Sequence, residues 1–372
     1  MDNQEKALLV LNGLPHVGPI TLNRLLDAFD GDAVEVMQAG RKALMKVPGV
    51  GPKIAGTLSG WREHFDLGRE LDLLNGQGAQ FLTVQRGGYP DLLKQISDPP
   101  IGLYGRGVLE LEGRRCIAIV GTRRPTLYGQ KQAGRFAARF AGAGFCIVSG
   151  LARGVDAAAH VGALDAGGAT VGVLGCGLDV VYPPENAELY ARMFREALVL
   201  SEFSFGRGAD RQTFPMRNRV VAGMCEAVVV VESGCAGGSM ITARFAGEQG
   251  RQVFVLPGRV DQPSSAGCHQ LIRDGATLVT CAEDVLEELG AVGQGILDLQ
   301  REVEGERRQL PQNLSEGEGR VLEALAGGEV LLLEEVAGRC GARVQEVAAS
   351  LMMLELTRLV SKRADGRFER RG

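Results

Sequence analysis

Three different patterns of apolar and polar residues succeed one another along the chain. In residues 1–75 apolar positions recur at helical spacing in short stretches broken by Gly and Pro, which predicts small helices joined by tight turns. Two of these turns resemble each other: Leu14-Pro15-His16-Val17-Gly18-Pro19 and Val47-Pro48-Gly49-Val50-Gly51-Pro52. Each precedes an apolar helical pattern (Ile20, Leu22, Leu25, Leu26; Ile54, Ala55, Leu58), the arrangement of a helix-hairpin-helix or SAM-like domain. A Gly turn at a helix start can present backbone N–H groups to a phosphate, so Gly49, Gly51 and Lys53 are candidates for a secondary DNA contact. A purely structural turn is the other reading. Residues 76–113, with Gly87-Gly88-Tyr89-Pro90 and Asp98-Pro99-Pro100, read as a connector packing on the core.

From 114 to 290 the period changes. Short, β-branched, mostly apolar runs at 116–120, 145–149, 170–174, 198–201, 227–232, 253–256 and 276–279 alternate with helical segments such as 128–143, 155–166 and 239–249. Buried strands separated by helices predict an α/β fold, a Rossmann-like doubly wound parallel sheet with right-handed crossovers. Residues 291–312 form a polar linker. From 313 to 372 a capping box at Ser315 and Glu318, three helical patterns and a hairpin with Asp365-Gly366 at its turn predict a winged-helix domain. Its third helix carries Glu346 and Glu355 between Arg343 and Arg358, a neutral balance that suits partner docking better than duplex reading.

Composition changes little in this picture. The 372 residues are 45% hydrophobic and 23% charged, ordinary for a globular chain. No apolar run approaches the ~18 residues of a membrane helix, and Met1–Lys6 has no secretory pattern, so the expectation is a cytoplasmic protein without membrane contact. Eight Cys without a Cys-x-x-Cys pair, beside four His, predict reduced, mostly buried thiols and no metal or other cofactor.

Charge is more informative. Residues 114–259 hold 17 Lys and Arg against 11 Asp and Glu, a net +6, leaving −10 for the rest. A basic centre in an acidic chain points to an anionic partner for the centre. Ligands of doubly wound sheets bind at the carboxyl ends of the strands. There the sequence has Gly121-Thr122-Arg123, Ser149-Gly150-Leu151-Ala152-Arg153, Gly175-Cys176-Gly177 and Gly237-Gly238-Ser239, small residues that let backbone N–H groups approach an anion. Neither Gly-x-Gly-x-x-Gly after the first run nor a Gly-x-x-x-x-Gly-Lys-Ser/Thr loop occurs. The segment Arg211 to Arg219 places Arg211, Arg217, Asn218 and Arg219 around Phe214, cations for phosphates and a ring for bases, which suits a single strand. Asp156 and His160, four apart on one helix, read as a surface or capping pair; whether Glu202 and Glu232 converge is open.

Together these motifs, with Tyr182-Pro183, Phe214-Pro215-Met216-Arg217-Asn218-Arg219 and Gly238-Ser239-Met240-Ile241-Thr242-Ala243-Arg244, resemble the bacterial DNA-processing protein A (DprA, or Smf) family over about residues 114–285. The resemblance implies a dimeric, non-enzymatic mediator. Such proteins bind single-stranded DNA, protect incoming strands in natural transformation and help load the recombinase RecA onto strands coated by single-strand-binding protein. It assigns the DNA pocket to Arg123, Arg211 and Phe214. The candidate site is therefore Gly121, Thr122, Arg123, Ser149, Gly150, Arg153, Arg211, Phe214, Arg217, Asn218, Arg219, Gly238 and Ser239. In many relatives a Lys follows Tyr-Pro; here Pro184 stands there, so one expected cation is missing. The competing reading is a nucleotide-processing enzyme of phosphoribohydrolase type. Its Gly-Gly-x-Gly-Thr signature is incomplete at Gly237-Gly238-Ser239-Met240-Ile241, and Arg244 and Phe245 stand where an acid is wanted.

Overall fold

A computed structural model describes residues 1–84, 87–108, 110–290, 314–326, 330–357, 359–362 and 366–370. The chain forms two compact units, Met1–Val292 and Gly293–Gly372. In the first, helices α1 (Asn3–Gly13), α2 (Pro19–Ala28), α3 (Ala33–Gln38), α4 (Arg41–Leu44), α5 (Pro52–Ser59) and α6 (Leu67–Gly76) precede the sheet. Both similar turns lead into a helix with Pro in its first turn behind a Gly cap, where the missing N–H of Pro needs no intrahelical partner. Leu9, Leu11 and Leu25 share one apolar core with Phe81, Tyr104, Leu178 and Val199 of the sheet and its loops.

The sheet has nine strands among the described residues. They are β1 (Gln80–Thr83), β2 (Gly102–Gly107), β3 (Cys116–Gly121), β4 (Cys146–Ser149), β5 (Thr170–Leu174), β6 (Leu198–Ser201), β7 (Ala227–Val231), β8 (Gln252–Val255) and β9 (Thr277–Leu278). Their order is β1-β2-β6-β5-β4-β3-β7-β8-β9. From β6 to β9 every neighbour is parallel, as the apolar runs predicted. Beyond these strands, one edge of the sheet adds β1 and β2, which pair antiparallel to each other and, through β2, to β6. Both strands come from the stretch read as a connector. Their signal was hidden by glycine: a Cβ on Gly102 would lie within 2.1 Å of the Phe81 ring, so the cross-strand aromatic requires the residue that made the segment look like a loop.

Helices α7 (Leu127–Gly142), α8 (Val155–Asp165), α9 (Ala187–Glu196), α10 (Thr213–Gly223), α11 (Gly238–Glu248), α12 (Ala266–Arg273) and α13 (Ala282–Glu288) make the crossovers and the final cover. Cys116, Ala118 and Val120 of β3 pack with Val220, Val221 and Ala243 of α10 and α11, and α7 and α8 pack on each other and on β3 and β4. Strand order reverses at β3, which has β4 on one side and β7 on the other, and a crevice opens among the loops after β3, β4 and β5 at the carboxyl ends of the strands.

The second unit has α14 (Glu316–Ala324), α15 (Leu333–Cys340), α16 (Val344–Leu356) and an antiparallel sheet β10 (Val330–Leu331), β12 (Phe368–Arg370), β11 (Val360–Lys362) in that spatial order. Val321, Leu325, Val336, Leu351, Leu354 and Phe368 form its core. The Ser315–Glu318 capping box is present, with the Ser315 N–H donating to Glu318 at 2.7 Å. On α16, Arg343 is paired with Glu346 at 2.5 Å. The linker expected at 291–312, Arg358 and Asp365 of the expected turn lie outside the described residues.

Candidate nucleic-acid interface

The crevice is lined by Arg123 from the loop after β3, by Gly150, Ala152 and Arg153 after β4, and by Leu174, Gly175 and Cys176 at the end of β5. Tyr182, Pro183, Tyr190, Ala209, Phe214 and Arg217 complete the lining of the crevice. Its mouth is cationic and aromatic. The exposed Arg123 guanidinium lies 4.9 Å from the centre of the Phe214 ring, and Tyr182 is tilted against Phe214 with ring centres 5.7 Å apart. Gly175 makes this possible: a Cβ there would come 3.2 Å from the Phe214 ring. Arg211 is exposed and in no ion pair among the described residues. Arg153 is exposed but held by Glu185, at 2.8 and 3.0 Å to its two carboxylate oxygens.

The floor is rigid. Ser149 is buried and donates to the Ile119 carbonyl at 2.6 Å, tying the tip of β4 to β3. Leu151 has φ 53, and Asp156 accepts the Gly150 and Ala152 N–H groups at 3.1 and 3.4 Å. Asn186 clamps the same loop from above, donating to the carbonyls of Leu151 and Ala152. Beneath it Arg217 is buried and donates to the carbonyls of Gly150 and of Val173, the latter at 2.9 Å. A side chain on Gly150 would overlap the Arg217 guanidinium. Burial pushes the Asp156 carboxyl up and the Arg217 guanidinium down from their ordinary values; the opposite charge of each counteracts the shift of the other.

The structure separates residues that the sequence had grouped. Gly121 and Thr122 position Arg123 from below: the Thr122 N–H donates to the Glu232 carbonyl at 2.7 Å, and a Cβ on Gly121 would strike the Val231 carbonyl. Arg219 points away from the crevice, buried beside Glu202 at 2.5 Å and Asp98 at 3.3 Å. It is an internal cation, and its place two residues after Arg217 on a helix turns the pair about 200° apart. Asn218 is buried and donates to the Gly238 carbonyl at 3.3 Å, and Ser239 shares a hydrogen bond with Ser233 at 2.8 Å. Only open space lies where a Cβ of Gly238 would go, so the start of α11 is accessible. Gly49 and Gly51 sit at the turn before α5 and Lys53 in its first turn, and none of the three lines the crevice.

The Asp156–His160 expectation is corrected. Both are buried, and His160 Nδ1 meets Thr170 Oγ1 at 2.7 Å. Thr170 gives its hydroxyl proton to the Ile147 carbonyl, so Nδ1 carries the proton and donates. Burial, then the nearby Arg217, lowers the His160 pKa to about 3, so the ring is neutral at physiological pH. Glu202 and Glu232 do not form a pair: Glu202 serves Arg219, and Glu232 accepts from the Thr126 N–H at 2.8 Å at the start of α7. Sequence reasoning gave no role to Tyr182, Glu185 or Asn186. Their proximity to the loop after β4 depends on tertiary structure, although an aromatic in Tyr182-Pro183 was a usable signal. Among the described residues the cysteines are free, and His, Cys, Asp and Glu form no cluster able to hold a metal. No described helix is long and apolar enough to cross a membrane.

Fold and crevice together define a doubly wound α/β protein with a rigid, cation-rimmed, aromatic strand-tip site and an appended winged helix. The chain belongs to the DNA recombination-mediator protein A (DprA) family: the family model matches residues 80–290, and the model of the DprA winged helix domain matches residues 305–366. Protein Smf of Synechocystis is 34% identical along the whole of both chains. The crystal structure of DNA processing protein A from Streptococcus pneumoniae superposes with a TM-score of 0.68 at 32% identity, covering 77% of this chain and 99% of that one. A structure of DNA processing protein A from Helicobacter pylori, described for its single-stranded DNA binding mode, has a TM-score of 0.52 at 32% identity over 56% of this chain and 95% of that one.

Proposed function

We propose that this protein binds single-stranded DNA in the strand-tip crevice as a mediator of recombination, without catalysing a reaction on it. The observation that carries the reading is the Arg123 guanidinium stacked over Phe214 in the crevice; Arg211, exposed three residues before Phe214 in the chain, adds a cation from outside the crevice lining. Ring faces take bases of any sequence and the guanidinium groups take phosphates, so affinity comes with little sequence preference. The single-stranded DNA binding described for the Helicobacter pylori relative supports it. On this reading Gly150, Ser149, Gly121, Thr122 and Arg217 hold the site's shape, and Gly238 and Ser239 offer a further anion contact at the start of α11. A homodimer joins two crevices into one track and raises avidity through effective concentration. The protein shields an incoming strand in transformation and passes it to RecA, with single-strand-binding protein as the competitor to displace.

The test is fluorescence anisotropy of a labelled single strand and of its duplex across a salt series, for the parent and Arg123→Ala/Arg211→Ala. Preference for the single strand, with a salt slope shallower by about 1.4 in the variant, is the expected result. Equal binding of both forms that ignores the two substitutions overturns the proposal.

A further inference from the structure

The two similar turns of the N-terminal helices have different surroundings. The first carries no Lys or Arg from Leu14 to Asn23, and Asn23 ties the helix behind it to the body of the unit by donating to the Pro99 carbonyl at 2.8 Å. The second is cationic throughout: residues 41–53 hold Arg41, Lys42, Lys46 and Lys53 and no acid. All four are exposed. Arg24 joins them from α2, its Nη1 within 3.4 Å of the Pro48 carbonyl, so three helices contribute to one collar. None of these five cations is ion-paired among the described residues. Gly49, at φ 90, gives the turn its projecting shape. Asp32 and Asp66 accept from the Glu35 and Arg69 N–H groups at 3.0 Å at the starts of α3 and α6.

We infer that this collar is a second nucleic-acid site, separate from the crevice, and that it takes the backbone of duplex DNA. The chemistry separates the two sites. The crevice is concave and aromatic, which suits splayed bases. The collar does not line the crevice, and between Arg41 and Lys53 there is no aromatic side chain on which a base could stack. Five unpaired cations without a stacking ring recognise charge density. A duplex offers one charge per ~1.7 Å of axis, about twice that of either strand alone. The occupant is therefore a double-stranded segment held without sequence preference, as at the junction of a single strand with a duplex.

The test uses the full chain and Lys42→Ala/Lys46→Ala/Lys53→Ala, three changes at exposed side chains. Anisotropy is read with a blunt duplex and with a short oligothymidylate, alongside Arg123→Ala/Arg211→Ala. The expected result is a duplex affinity at least about tenfold weaker in the lysine variant, with a salt slope shallower by about 2.7, and unchanged oligothymidylate binding. Arg123→Ala/Arg211→Ala gives the reverse, so loss of the crevice reading leaves this one standing. Duplex binding that survives the lysine substitutions with its slope intact, or that disappears with Arg123 and Arg211 instead, overturns it.

Discussion

Arg219 sits in a segment that reads as a DNA-binding motif, yet its guanidinium lies in the interior, 2.5 Å from Glu202 and 3% exposed. Arg219→Met removes the cation and leaves Glu202, itself 8% exposed, as a buried carboxylate with only the partly buried Asp98 nearby. Breaking a buried pair from one side costs about 3–5 kcal/mol, which for a unit of this size lowers the melting temperature by roughly 10 °C. The sign of the pH dependence follows from Glu202. Burial already raises its pKa, and Arg219 is the main influence holding it down. A carboxyl raised on folding stabilises fully below its unfolded value near 4.5 and loses that contribution as pH rises through the folded value. Removing Arg219 moves the folded value higher, so the deficit of the variant is larger at pH near 8 than near 5. Glu202→Leu added to Arg219→Met removes the orphaned charge and restores most of the loss. Thermal or urea unfolding at the two pH values reads the stability, and anisotropy with a single strand reads binding. A single variant as stable as the parent near pH 8 refutes the ion-pair account. A double variant that is stable but has lost single-strand binding refutes the placement of Arg219 outside the interface.

Other consequences follow from the crevice. Phe214→Ala removes the ring under Arg123, and loss of one stacked base weakens single-strand binding by about 1–3 kcal/mol, seen in a titration at fixed salt; an unchanged affinity removes the stacking role. Glu185→Gln frees Arg153 from its carboxylate and should tighten single-strand binding at low salt with an equilibrium salt slope that becomes steeper; weaker binding would mean that the carboxylate aids the site. Gly150→Ala forces a methyl into the Arg217 guanidinium, so it should lower both unfolding temperature and single-strand affinity, whereas Gly238→Ala, with open space around it, should leave stability unchanged. His160→Gln removes a group whose depressed pKa makes the parent lose stability as pH falls below about 6.5, so the variant's unfolding curve should flatten between pH 6.5 and about 3.

Where apolar runs were long and β-branched, the sequence determined the elements closely: β5 and β6 match the predicted spans residue for residue, and α7, α8 and α11 differ by one residue at their ends. The antiparallel edge was illegible because β2 is Gly102-Leu103-Tyr104-Gly105-Arg106-Gly107, three glycines in six residues. What makes it a strand is the Phe81 ring filling the place a side chain would occupy, a contact set by tertiary structure. The site was legible as chemistry and less so as geometry. Residue types at the strand tips identified Arg123, Gly150 and Phe214, all of which line the crevice. Which of Arg211, Arg217 and Arg219 faces outward depends on where α10 begins and which face it buries, and with Arg217, Asn218 and Arg219 all buried the sequence has no polar–apolar alternation there to reveal it.

That distribution of arginines limits what the crevice can do by itself. Arg217 lines the crevice from a buried position near Asp156, and the opposite charges of the two offset each other. Arg219 is balanced by Glu202 and Asp98, and Arg153 by Glu185. Arg123 at the mouth and Arg211, just before α10 and outside the crevice lining, are left as exposed cations in no ion pair among the described residues. Two phosphate contacts on a single strand correspond to a slope of about −1.4 in log affinity against log salt, and release of Arg153 from Glu185 brings it to about −2. Binding by one crevice is therefore carried as much by stacking on Phe214 and Tyr182 as by charge. A slope well beyond −2 per protein on a short single strand would mean that a second set of cations is engaged; the collar around Gly49 is the nearest match in charge, and the lysine substitutions there would return the slope to the value of the crevice alone.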